Sequence, residues 1–165
     1  MSTTKPKIDT RAAQPTVGIR VQVPMSAFDD VIPQLLNEVL GWLDQKGIAP
    51  TGAPLMRFHV INMEHDMDIE IGVPVAQSLP LEGRLIASEI PAGRYAWLIY
   101  TGRDNGYAGN KVLIDWAVEQ GLYFDRWEIA TGDAFRARYE SFLTNPDDES
   151  DHTRWETEVA IRLAD

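Results

Sequence analysis

The sequence has 165 residues, a formal net charge of −10 at pH 7 and no cysteine. A negative field repels phosphate backbones and anionic membrane surfaces, so neither nucleic acid nor a membrane is expected as a direct partner. The lack of cysteine excludes a disulfide framework, a thiolate nucleophile and a cysteine-based zinc site, and it fits a cytoplasmic protein.

The N-terminal segment, residues 1–14, has neither the apolar core of a signal peptide nor a regular apolar period. We therefore expect a disordered leader there. The remainder, residues 15–165, is of a length that suits a single domain.

The first half of the domain predicts the order strand, helix, strand, strand. The segment from Val17 to Val23 alternates apolar and polar residues, which is the period of a half-buried strand. Asp29 offers an N-terminal cap to the helix that follows, and Gly47 offers a left-handed cap at its end. Two more strands are predicted, at Leu55–Ile61 and Met67–Val75.

The second half predicts the same order. Leu85–Ile90 and Arg94–Thr101 are predicted to form a hairpin, and a helix is expected from Gly109 to Gln120. Strands are then predicted at Phe135–Leu143 and Trp155–Leu163. The segment between the helix and these strands is predicted to be a loop.

Short stretches of the two halves match in order. Trp42–Ile48 reads WLDQKGI and Trp116–Leu122 reads WAVEQGL, while MDIEIGV from Met67 matches WETEVAI from Trp155. A long period present twice indicates a pseudo-symmetric domain, since a solenoid needs at least three units. The predicted fold is a duplicated βαββ unit, with repeats at about 16–75 and 93–164.

Motifs spread along the chain carry a resemblance to a known family. They are GWLDQKGIAPTG from Gly41, SEIPAGRYA from Ser88, TGRDNGY up to Tyr107, RYESFLTNP from Arg138 and WETEVAIRL from Trp155. In this order they resemble the GyrI-like domain, the effector-binding domain of AraC-type and MerR-type multidrug regulators that also occurs as a stand-alone protein. The resemblance covers about residues 15–164.

The resemblance implies an α+β fold with an antiparallel sheet, two helices on one face and a ligand groove on the other, near a pseudo-two-fold axis. It also implies that a glutamate on the strand matching RYESF anchors the ligand, which in this sequence is Glu140. Because no helix-turn-helix region flanks the domain in this sequence, we expect a stand-alone member.

Strand alternation predicts which side chains line that groove. If Tyr95, Trp97 and Tyr139 pack against the helices, the alternate residues of those strands face the groove. The predicted ligand-binding residues are Glu140, Leu98, Tyr100, Phe142 and His59, with Tyr107 overlooking the site from the second helix. In the first repeat, His59 or a near neighbour is expected to take the place that Glu140 has in the second.

A carboxylate among aromatic rings suits a hydrophobic organic cation, so the first hypothesis is a small-molecule-binding or sequestering protein. The second, implied by the resemblance, is a hydrolase of strained electrophilic rings, in which Glu140 activates water and Tyr100 or Tyr107 stabilises an oxyanion. A third is docking on a topoisomerase as an inhibitor.

Metal and cofactor chemistry has no support in the sequence. His59, His65 and His152 lack metal-ligand spacing, and no phosphate-binding loop pattern is present. No metal and no cofactor are therefore expected. A homodimer is left open, because no sequence feature identifies its face.

Overall fold

A computed structural model of the protein describes residues 2–165, so Met1, the first residue of the predicted leader, lies outside the described residues. The strands are β1 (Ser2–Thr3), β2 (Lys7–Arg11), β3 (Gln14–Pro24), β4 (Leu55–Ile61), β5 (Asp66–Pro74), β6 (Ile86–Ile90), β7 (Gly93–Thr101), β8 (Arg126–Ile129), β9 (Gly132–Phe135), β10 (Arg138–Phe142) and β11 (Glu156–Arg162). The α-helices are α1 (Phe28–Gln45) and α2 (Gly106–Glu119), and 3₁₀ turns lie at Met25–Ala27, Arg103–Asn105 and His152–Arg154.

All strand pairs are antiparallel, and the main path of the sheet runs β1-β7-β11-β10-β4-β5-β3-β6. Its centre is the β10–β4 pair. On one side of this pair lie β11 and β7, and on the other lie β5 and β3. We call the β10–β4 junction the seam, because the two halves of the chain meet there.

Both helices cover the same face of the curled sheet. Leu35, Val39 and Leu43 of α1 pack on alternate residues of β3, β4 and β5, and Leu113 of α2 packs on alternate residues of β7 and β11. The predicted α+β fold with an antiparallel sheet is thereby confirmed. Within residues 2–165, neither helix is long and apolar enough to cross a membrane.

The two helices end in the same way. Leu43 and Ala117 carbonyls accept from the amides of Ile48 and Leu122, each one residue beyond a glycine with positive φ. The amides of those glycines, Gly47 and Gly121, bond to carbonyls three residues back. Such a left-handed glycine cap terminates a helix by satisfying its last carbonyls. The equivalence inferred from WLDQKGI and WAVEQGL therefore extends to individual hydrogen bonds.

The expected disordered leader is corrected by the structure. β1 and β2 both pair with the outer edge of β7, and the Arg11 side chain donates to Tyr139 Oη at 2.9 Å and to Glu158 Oε1 at 2.7 Å. Lys7–Arg11 contains one apolar residue, so it has no hydrophobic period. Backbone pairing with an edge strand and the Arg11 contacts hold it instead.

We expect the amides of Lys7–Arg11 that bond to β7 to be protected in native-state hydrogen exchange, because opening them must also break the Arg11 contacts. Arg11→Met should increase their exchange rates. Arg20→Met, which removes the more exposed ion pair with Asp68, provides the matched control. Unprotected amides in the unmodified protein would instead support the prediction of a disordered leader.

Two further strand predictions differ from the structure. β6 pairs with β3, not with β7, so the predicted hairpin does not form. The segment predicted to be a loop after the second helix contains the β8–β9 hairpin, and β9 pairs with the end of β4. Every residue of β8 is exposed, so the short alternation of Trp127 and Ile129 with charged residues does not mark a buried face.

Candidate functional site

Glu140 lies at the seam. Its cross-strand partners are Met56 of β4 and Val159 of β11, and directly paired residues project from the same face of a sheet. Met56 and Val159 belong to the clusters beneath the helices. Glu140 therefore faces the helices, and the prediction that it faces away from them is wrong.

Tyr100 reaches Glu140 from β7. Its hydroxyl donates to Glu140 Oε1 at 2.5 Å, and both side chains are buried, with Glu140 only 8% exposed. The ring lies against the first turns of α2, because a Cβ placed on Gly109 would be 2.6 Å from Tyr100 Cδ1. The Tyr100 ring and the start of α2 thus close the site.

Burial controls the protonation of this pair. Desolvation raises the pKa of Glu140, and the hydrogen bond from Tyr100 and the charge of Arg138 oppose that shift without cancelling it. Burial and the neighbouring carboxylate raise the pKa of Tyr100 as well, so it remains a proton donor. The site consequently holds a carboxyl group whose charge is costly until an opposite charge arrives.

A buried cation lies two residues from Glu140 on the same face. Arg138 donates from Nη2 to Asn110 Oδ1 at 2.9 Å, and its Cζ is 4.8 Å from the centre of the Phe135 ring. Desolvation lowers the pKa of Arg138, an effect that the charge of Glu140 partly offsets. No carboxylate among residues 2–165 lies within 4.0 Å of its side-chain nitrogens.

The strand register shows which residue of the first half is equivalent to Glu140. Ile71 pairs with Met56, whereas its counterpart Val159 in the matching motif pairs with Glu140. Met56 is therefore the equivalent of Glu140, which corrects the prediction that His59 or a near neighbour takes that place. The pseudo-two-fold axis passes between the two side chains, because Met56 and Glu140 also pair with each other.

The helices differ where they meet the site. Gly109 precedes Trp116 by the same number of residues as Leu35 precedes the equivalent Trp42, so Gly109 occupies the position of Leu35. On the sheet, Ile71 and Val159 pair with Ile19 and Leu98, so Tyr100 occupies the position of Val21. The first half has a large residue on the helix, Leu35, and a small one on the strand, Val21. The second half has a small residue on the helix, Gly109, and a large one on the strand, and this exchange lets Tyr100 reach the carboxylate.

His59 lies on the other face of the sheet from Glu140. Its Nε2 is 2.8 Å from Glu70 Oε1, and Glu70 is buried with only 2% exposed. Near the seam that face also has a cavity of about 290 Å³. The cavity is lined by Arg11, Ala12, Gln14, Ala53, Leu55, Pro74, Ile90, Tyr139, Ser141, Leu143 and Glu158. The face away from the helices is grooved, but Glu140 is not in the groove.

Three predicted site residues remain, of which two are packed against the core and one is exposed. Leu98 is buried in the cluster beneath α2, and Phe142 packs against the α1 cluster, so both share the face of Glu140. Tyr107 is 79% exposed, whereas a Cβ placed on the adjacent Gly106 would lie 3.9 Å from Glu140 Oε1. Glu140, Tyr100, Leu98 and Phe142 therefore share one face of the sheet, His59 lies on the other, and the Tyr107 side chain is largely exposed.

Sequence reasoning assigned no role to Gly109 or Asn110, and strand alternation placed Arg138 on the same face as Glu140 without giving it a function. The available signal was the pair of glycines in the first turn of α2, where α1 has none. Glycine within a helix costs up to about 1 kcal/mol relative to alanine, so a close approach is the physical reason to look for.

The model of the GyrI-like small molecule binding domain matches residues 4–164. The chain belongs to the GyrI-like family. No curated protein matches it by sequence.

Solved structures of other proteins share the fold at low identity. The EcmrR C-terminal domain has a TM-score of 0.76 at 20% identity, with 99% of each chain covered. In the EcmrR–DNA complex the match covers 98% of this chain but only 57% of the EcmrR chain, with a TM-score of 0.73 and 20% identity. This chain thus spans little more than half the length of the EcmrR chain.

Two other relatives are more distant. SAV2435 bound to tetraphenylphosphonium has a TM-score of 0.62 at 10% identity, covering 98% of this chain and 94% of its own. A hydrolase from Listeria innocua has a TM-score of 0.60 at 12% identity, covering 97% and 92%. At these identities the likeness shows the fold alone.

Proposed function

We propose that this GyrI-like protein binds small hydrophobic cations beneath its helices, with Glu140 as the acidic anchor. The observation that carries the proposal is a buried carboxyl group at the seam, with a raised pKa and no ion pair to any of residues 2–165. Such a group lowers stability, and a ligand that brings the opposite charge removes that cost. The aromatic and aliphatic neighbours supply affinity without requiring one ligand shape.

Ligand entry requires movement. Glu140 is only 8% exposed, and the first turns of α2 cover Tyr100. The sheet beneath is held by long antiparallel pairings, whereas the start of α2 has no side-chain cap hydrogen bond. We therefore assign the opening to the first turns of α2.

Tetraphenylphosphonium, the cation bound to SAV2435, is a suitable probe. We expect it to raise the melting temperature of the protein by mass action, and to bind more tightly as pH rises through the pKa of Glu140. The sign follows from the raised pKa, because a cation binds the ionised carboxylate and displaces its proton. Calorimetry in buffers of different ionisation enthalpy measures the released proton.

Glu140→Gln should weaken this binding by at least about tenfold, as expected for the loss of a charge pair removed from water. Glu70→Gln is the matched control, since it neutralises a buried carboxylate on the opposite face. Triphenylphosphine oxide, which is neutral, should bind more weakly than the cation. Equal binding by both variants and the unmodified protein would contradict the proposal.

A hydrolytic role is the second candidate, and it is favoured by the 2.5 Å contact between Tyr100 and Glu140. This pair could hold a water molecule beside a strained ring and protonate the opened product. The relative from Listeria innocua is called a hydrolase. Mass spectrometry of a cyclopropane-bearing or epoxide-bearing compound would show water addition if turnover occurs, and depletion without product if the protein only binds it.

A further inference from the structure

Arg138 is a second polar group within the site that has unused hydrogen-bonding capacity. Its Nε atom is buried and has no hydrogen-bond partner among residues 2–165. A buried donor without a partner is costly, so native structures seldom keep one without a compensating contact. The other end of the guanidinium is held by Asn110, which fixes its orientation.

The position of Arg138 defines a spacing. Arg138 and Glu140 are two residues apart on β10 and project from the same face, so their backbones are separated by roughly 7 Å. The rings that flank the guanidinium are Phe135 and Phe58, with centres at 4.8 and 6.0 Å from Cζ. One cation thus already occupies the aromatic part of the site.

We propose that Arg138 is a specificity-determining residue whose Nε–H binds an anionic or carbonyl oxygen of the ligand, so that the site selects molecules carrying an acceptor beside their positive charge. This inference rests on the proposed function, because it concerns the ligand that Glu140 anchors. A bare cation meets the positive charge of Arg138, whereas a zwitterion satisfies Arg138 and Glu140 together.

Two rhodamine dyes test the proposal on the unmodified protein. One has a free benzoate and is a zwitterion at neutral pH, and the other is the methyl ester of the same dye and is a cation. A charge-assisted hydrogen bond should make the zwitterion bind about 10-fold to 100-fold more tightly. Fluorescence polarisation measures both dissociation constants under the same conditions.

The variant Arg138→Gln should abolish that preference, because it should weaken binding of the zwitterion and strengthen binding of the ester. Arg136→Gln is the matched control, because it removes the same charge two residues away on an exposed side chain. It should keep the ratio of the two dissociation constants. The ratio in the unmodified protein does not depend on whether Arg138→Gln folds.

The outcomes separate the two proposals. Equal affinity for both dyes, each weakened by Glu140→Gln, would overturn the role of Arg138 and leave the anchor intact. A preference for the zwitterion that persists in folded Arg138→Gln would also overturn it. Failure of both dyes to bind would overturn the role of Arg138 together with the proposed function.

Discussion

Replacing Glu140 by glutamine should raise the free energy of unfolding at neutral and higher pH, by about 1–3 kcal/mol at the upper end of that range. Glutamine keeps an oxygen that can accept the Tyr100 hydroxyl bond, and it never acquires the charge that burial penalises. For a chain of this length, each kcal/mol corresponds to a rise of roughly 2–4 °C in melting temperature. The variant thus gains stability as it loses ligand affinity.

The stability gain should depend on pH. Burial raises the folded-state pKa of Glu140 above its ordinary value of 4.5, so the folded protein binds this proton more tightly than the unfolded chain does. The resulting stabilisation is fully present below the unfolded-state pKa and is lost as pH rises through the folded-state pKa. The difference in free energy of unfolding between Glu140→Gln and the unmodified protein should therefore increase as pH rises and decrease as pH falls towards 4.5.

Glu128→Gln controls for the change in net charge, because it removes a carboxylate from the exposed strand β8. Thermal unfolding of the three proteins across the same pH series gives the comparison. A glutamine variant at Glu140 that is less stable than the unmodified protein at every pH would contradict a carboxyl group that is destabilising when ionised.

The alternation of the sequence predicted which residues share a face, but not always which face is covered. On β5 the two sets are chemically distinct, since Met67, Ile69 and Ile71 alternate with acidic residues, and these apolar residues do pack beneath α1. On β7, Tyr95 and Leu98 stand in a nearly continuous apolar run and belong to opposite faces. A strand that is apolar on both sides gives periodicity nothing to distinguish, so the site was assigned to the wrong face.

The duplication was visible in the sequence, but its register needed the backbone. Glu140 was matched to His59 or a near neighbour because the loops before the two strands differ in length. A register shift between Phe58 and Val60 further obscures the alignment. Pairing to the shared neighbours Ile71 and Val159 removes the ambiguity and places Met56 opposite Glu140. The family resemblance singled out Glu140, but its partners across the seam are given only by the strand register.

The helix residues of the site could not be predicted because their role is spatial. The two glycines of GYAGN at Gly106–Asn110 indicate a close approach to the helix, but they do not indicate that a tyrosine ring makes it or that Asn110 holds Arg138. The comparison of the two halves after folding supplies the reason. Tyr100 needs the space that Leu35 fills at the equivalent position in the first half.

Gly109→Ala tests that exchange directly, and it should lower the free energy of unfolding by about 1–3 kcal/mol. The new Cβ would lie 2.6, 2.8 and 3.0 Å from three atoms of the Tyr100 side chain, so the ring must leave its contact with Glu140. Ligand affinity should fall as well, because the carboxyl group loses its donor. Urea unfolding and titration with tetraphenylphosphonium measure the two effects.

Gly41→Ala is the matched control, since Gly41 lies within α1 and a Cβ there meets nothing within 4 Å. It should stabilise the protein by up to about 1 kcal/mol, because alanine is the better helix former. In a Tyr100→Ala background the cost of Gly109→Ala should disappear, and the helix-forming gain alone should remain. A cost that survives the loss of the ring would mean that Gly109 is required by the helix backbone, and that the space at α2 was not made for Tyr100.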